Sequence, residues 1–160
     1  GRPSIIELFL IMIVTVGLSF VLHELAHRYV ARSYGYWAEY RMWPFGLAIA
    51  VLSAFFGVVF AAPGAVYILG SEFLTRKEHG VISIAGPSVN IFLGIFFFSV
   101  LQYFGFSLIA YIGFVVNAFI AFFNLLPIPP LDGYNILKWQ ISAWAGMMLV
   151  AVTLMLLWFF

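Results

Sequence analysis

The stretch Ile5–Ser33, IIELFLIMIVTVGLSFVLHELAHRYVARS, decides the fold class. From Ile5 to Leu22 its polar side chains are Glu7, Thr15 and Ser19. An apolar run of about 18 residues is long enough to cross the hydrocarbon core of a bilayer. Ser4 supplies an N-cap, Arg28 and Arg32 mark the far end, and Gly35 is a stop signal. The whole stretch predicts one helix of about 43 Å. The same helix carries His23, Glu24 and His27. Ionisable groups inside a spanning segment oppose insertion, so their presence calls for a functional reason.

Composition agrees with a lipid-solvated chain. Hydrophobic residues make up 65% of the 160 and charged residues 8%, against about 25% charged in soluble domains. The net charge of +1 without a basic, aromatic-interleaved patch argues against a nucleic-acid partner. Cysteine is absent, which excludes disulfides and thiolate metal ligands. The first apolar run has no small-residue cleavage site, so it reads as a resident helix and not as a signal peptide.

Beyond Gly35 the expected organisation is as follows. Residues 36–43 suit a short strand, and the apolar run 46–62 suits a membrane-dipping hairpin or helix pair. Residues 71–80, with Glu72, Arg76, Lys77, Glu78 and His79, read as a wet loop. Val81–Ala85 alternates like a strand, and Gly86-Pro87 then opens a second long helix, with Pro87 in its first turn. A third helix follows from Ser107 to Phe123. Pro127, Pro129 and Pro130 break the ladder, and a last helix starts at Asp132, with a kink expected near Gly146. The expected fold is mainly α, a polytopic membrane protein of about four to six helices. Residues 1–160 read as a single membrane-embedded domain, with 36–80 as its membrane-associated connection and no PDZ or other soluble domain.

The loop charges orient these helices. Arg28, Arg32, Arg41, Arg76, Lys77 and Lys138 fall on one side if the long helices alternate, with Arg2 the exception. By the positive-inside rule that side is cytoplasmic. The expectation is a multi-pass protein whose Asp132 reaches the side where His23 and His27 lie.

His23 and His27 sit one helical turn apart on one face, a spacing at which two imidazoles bind one metal ion. Glu24 beside them matches the general base of the H-E-x-x-H pattern. Catalytic zinc takes three protein ligands and keeps one position open. Glu7 is too far along the same helix, and Glu39, Glu72 and Glu78 lie in the charged connection. Asp132, a carboxylate in an apolar, proline-broken stretch, is the chosen third ligand, with His79 as runner-up. One zinc ion per chain is expected.

Two further motifs extend the picture. N-L-L-P-I-P-P-L-D-G spans 124–133, and A-G-P-S-V-N spans 85–90. Together with HELAH at 23–27 they make the chain resemble the site-2 proteases, a family of intramembrane zinc metalloproteases. The resemblance implies that His23, His27 and Asp132 are zinc ligands and that Glu24 is the catalytic glutamate. It implies that Asn90 and Asn124 lie close to the site, where they are candidates to contact the substrate carbonyl or the developing oxyanion. It further implies a β-hairpin between the first and second core helices, with Val58–Ile68, turning at Pro63-Gly64, receiving substrate as an added strand. The implied activity is hydrolysis of peptide bonds within or next to transmembrane helices of membrane-protein substrates. The rival readings are a non-catalytic family member that binds membrane helices and a metal-ion transporter. Transporters are commonly built from repeated halves, and this sequence shows no repeat.

Overall fold

In the computed structural model, residues 4–42 and 64–158 are described. Among the described residues, five helices and two strands follow in order: α1 (Ile5–Ser33), β1 (Ala38–Met42), β2 (Gly64–Ile68), a 3-10 turn (Ser71–Phe73), α2 (Arg76–Phe104), α3 (Leu108–Asn124), α4 (Asp132–Trp139) and α5 (Ile141–Leu157).

α1 begins as its sequence requires. The Ser4 hydroxyl accepts from the Glu7 amide, and the Glu7 carboxylate accepts from the Ser4 amide, which closes a capping box. Its buried residues are Thr15, Ser19, His23, His27 and Ala31, one every four positions. Its outward positions carry Phe9, Leu10, Ile13, Val14, Leu18 and Leu22, all exposed. The helix is thus polar inside and apolar outside, the reverse of a helix in a water-soluble protein. α1 and α2 are each 29 residues and apolar enough to cross a membrane; α3 and α5 are shorter apolar helices of 17 residues.

The second long helix starts earlier than expected. Thr75 and Glu78 form a second capping box, so Arg76–Phe104 is one continuous helix. Val81–Ala85 is therefore helical, and Pro87 lies inside the helix rather than in its first turn. The stretch read as a loop holds the 3-10 turn and the first turns of α2. Pro87 has no N–H for the Ser83 carbonyl, an interruption that membrane helices tolerate when neighbouring groups fill in. At the C-terminal end the break falls at Gln140, which separates α4 from α5, and not near Gly146.

β1 and β2 pair antiparallel, with Tyr40 opposite Val66 and Ala38 opposite Ile68. Strand β1 was expected within 36–43. The expected Val58–Ile68 segment is described only from Gly64 onward, and the 46–62 reading lies outside the described residues. Ala31, Ala38 and Ile82 pack together and hold the sheet against α1 and α2.

α2 and α4 run side by side in opposite directions. Gly80 abuts the Trp139 ring, the Asn135 amide donates to the Ser83 hydroxyl, and Gly86 lies at the level of Asp132. The proline-rich loop is fixed at both ends. The Trp144 indole N–H donates to the Leu125 carbonyl at 2.8 Å, and Gly133 lies so close to that same carbonyl that a Cβ there would collide with it. This anchoring sets the start of α4 and hence the place of Asp132.

Candidate metal centre

Three side chains from two distant parts of the sequence converge. His23 Nε2 and His27 Nε2 are 3.0 Å apart, and Asp132 Oδ2 lies 3.3 Å from the first and 3.2 Å from the second. Both histidines are buried. A tetrahedral zinc ion with ligands at 2.0–2.1 Å sets neighbouring ligand atoms about 3.3 Å apart. The triangle has that size, so the donor set fits zinc.

The opposite ring nitrogens explain the orientation. His27 Nδ1 is 2.7 Å from the Ile82 carbonyl oxygen, and His23 Nδ1 is 2.5 Å from Asn90 Oδ1. Both partners are acceptors, so each ring donates from Nδ1 and leaves Nε2 as a bare lone pair. Two lone pairs and a carboxylate oxygen then face one another at hydrogen-bond distance. A metal ion, or a proton on one ring, relieves the repulsion among them.

Gly86 makes room for the rings. A Cβ at this position would overlap His27 Nε2 and stand 2.5 Å from His23 Nε2. Asn90, one turn further along α2, is fully buried and fully engaged. Its Oδ1 accepts from His23, and its amide nitrogen faces the Asn117 Oδ1 at 2.8 Å and the Ser19 carbonyl at 3.4 Å. Asn117 in turn donates to the Ser19 hydroxyl and to the Gly113 carbonyl. The structure therefore places Asn90 behind His23 rather than at the open face. Asn124 lines the cavity and donates to the Ile120 carbonyl at 3.0 Å.

A cavity of about 240 Å3 opens on the centre. Glu24, Ser83, Asn124, Asp132 and Asn135 contribute its polar wall, and Ala65, Val66 and Ile68 bring the β2 strand to its side. The Glu24 carboxylate accepts from the Val66 amide at 2.9 Å. Val66 is therefore turned toward the cavity, on the side of β2 away from β1. Burial, and then the charge of Glu24, push the phenol of Tyr40 on β1 above its usual range. His79 also lines the cavity, held by the Ser71 carbonyl at 3.2 Å, and is not among the three converging ligand atoms.

Comparison with known proteins agrees with this geometry. A protein of Methanocaldococcus jannaschii that carries the provisional name of zinc metalloprotease is 44% identical over 161 residues, covering 96% of this chain and 84% of that protein. The chain belongs to peptidase family M50, the site-2 protease family. The M50 family model matches residues 102–159, which hold the proline-rich motif and Asp132. Two relatives with the same provisional name are more distant. The Bacillus subtilis protein is 32% identical, covering 79% of this chain and 67% of that one. The Mycolicibacterium smegmatis protein is 28% identical, covering 86% of this chain and 60% of that one. Family membership makes this chain a metalloprotease by descent, in a family whose members are membrane proteins.

Four residues of this M50 site escaped the sequence reading. Asn117 lies seven positions before Asn124 and Ser19 four before His23, spacings that place each pair on one helix face. Those spacings were a usable signal. Ser83 and Asn135 meet only because α2 and α4 pack in register, and nothing local in the sequence announces that.

Proposed function

We propose that this chain is an intramembrane zinc metalloendopeptidase that hydrolyses peptide bonds within or next to transmembrane helices of membrane-protein substrates. The observation that carries the reading is the ligand triangle, two Nε2 atoms and a carboxylate oxygen within 3.3 Å of one another, with both Nδ1 atoms tied to acceptors. His23, His27 and Asp132 would hold the ion, one per chain. Zinc in such a site supplies Lewis-acid polarisation and acidifies a water.

The chain's own residues do the rest. Glu24 lies next to His23 and lines the same cavity, so it takes the proton of the attacking water and returns it to the leaving amine nitrogen. Asn90 and Asn117 hold the His23 tautomer. A substrate helix shields its peptide bonds with its own hydrogen bonds and must unwind before attack. The unwound stretch pairs with the side of β2 that faces the cavity, which satisfies its backbone groups. Four helices, α1, α2, α3 and α5, cross the bilayer, and the centre faces the cytoplasmic side, as the basic residues of the loops indicate. The apolar outer face and polar inner face of α1 support a lipid surround.

The test uses purified protein in detergent or vesicles with a membrane-helix substrate. Wild type contains about one zinc per chain and loses cleavage on chelation. Glu24→Gln keeps the zinc and lowers the cleavage rate about 10²–10⁴-fold. Cleavage by Glu24→Gln at the wild-type rate sinks the mechanism. Substrate binding without turnover by wild type would instead favour a non-catalytic helix-binding role.

A further inference from the structure

A hydrolase needs a donor for the oxygen that gains charge as the carbonyl is attacked, and of the two asparagines expected in that role Asn90 is fully engaged elsewhere. The amide nitrogen of Asn90 is bound on both sides away from the cavity, and Asn124 spends one of its two amide hydrogens on its own helix. We infer that the Ser83 hydroxyl, oriented by Asn135, donates to the substrate's scissile carbonyl oxygen. This rests on the protease reading above and adds a residue to it.

The argument is positional. Ser83 and Asn135 both line the cavity, and Ser83 is buried. The Asn135 amide donates to Ser83 Oγ at 3.2 Å, which occupies an oxygen lone pair and leaves the hydroxyl hydrogen to point elsewhere. A serine inside a helix commonly gives that hydrogen to the carbonyl four residues back. Ser99 does so to Ile95, at 2.8 Å. Ser83 does not, and among the described residues its hydrogen has no acceptor.

The place also fits. Ser83 is one turn before Gly86, where an added Cβ would collide with both histidine rings, and Asn135 is one turn after Asp132. Side chains three apart on a helix are about 5–6 Å from one another.

The experiment compares wild type, Ser83→Ala, Ser83→Thr and Asn135→Ala for cleavage of a membrane-helix substrate, zinc content and thermal melting. Ser83→Ala lowers kcat about 10²-fold, the size of losing one oxyanion donor, with KM, zinc content and melting close to wild type. Ser83→Thr keeps the hydroxyl and restores most of the rate. Asn135→Ala leaves the hydroxyl but frees its orientation, and loses roughly tenfold, less than Ser83→Ala. A rate for Ser83→Ala within twofold of wild type overturns the proposal. So does loss of zinc or of melting temperature in step with the rate in both Ser83→Ala and Asn135→Ala, which would make the pair a packing contact between α2 and α4. If wild type itself shows no zinc-dependent cleavage, the protease reading fails instead.

Discussion

Gly86→Ala is the most exacting test of the centre, because it changes no ligand. A Cβ at 86 stands 2.5 Å from His23 Nε2 and 2.6 Å from His23 Cε1, and overlaps His27 Nε2. Ordinary contact begins at 3.4 Å. Each ring must therefore retreat by about 0.9 Å or more, whereas a functional metal site holds its distances within about 0.2 Å. The rings are poorly free to retreat. His23 is pinned through Nδ1 to Asn90, and His27 to the Ile82 carbonyl. For the helix alone, alanine is about 0.5–1 kcal/mol better than glycine. Overpacking a tight site costs about 1–3 kcal/mol. The net cost is about 0–2.5 kcal/mol, so the variant should fold and melt within about 10 °C of wild type. Disturbing an outer-shell partner typically lowers metal affinity about 10–100-fold. Here both rings move together, and a loss near the upper end, about 100-fold, is expected. Competition with a calibrated chelator measures the affinity, and melting of the metal-free form controls for folding. Wild-type zinc affinity and cleavage in Gly86→Ala would refute the ring placement, and with it the claim that this glycine makes room for the metal.

Two other substitutions probe how the site is held. Asn117→Leu removes both the acceptor for Asn90 and the donor to Ser19; zinc affinity should fall about tenfold, with a destabilisation of about 1–3 kcal/mol from the buried groups left unpaired, read by chelator competition and melting. Gly133→Ala drives a Cβ into the Leu125 carbonyl; because that contact is backbone and cannot rotate away, the loop must shift, and the expected result is loss of zinc with α1 and α2 helicity retained in circular dichroism.

The sequence carried the two ends of the site better than its middle. Ile5–Ser33 was legible as one helix because its cap, length and stop all agreed, and the observed bounds match. Asp132 was legible as a partner for the histidines because a carboxylate in an apolar stretch has few stable uses. The start of α2 was not. Gly86-Pro87 looks like a helix opening, and the Thr75…Glu78 capping box was hidden in a charged stretch that reads as loop. Proline inside a long apolar helix is the override here: neighbouring helices and side chains re-satisfy the carbonyl that the proline leaves open. Asn90 lies against His23, and its direction depends on Asn117 and Ser19, partners on two other helices. Ser83 and Asn135 required the α2–α4 register, a tertiary fact with no local sign.

The polar seam that runs from Ser19 through Asn117 and Asn90 to His23 has a consequence for assembly. Helices in lipid gain little from hydrophobicity when they associate, so close packing and a few interhelical hydrogen bonds must hold them. In this protein those bonds join α1, α2 and α3, and the last link is the histidine itself. The groups that bring the helices together are thus the groups that set the imidazole's proton. A bundle with one helix out of register also has a His23 whose Nδ1 is unclaimed and whose Nε2 is free to carry the hydrogen. On the metalloprotease reading, zinc would be held best by a chain whose three helices have already found one another.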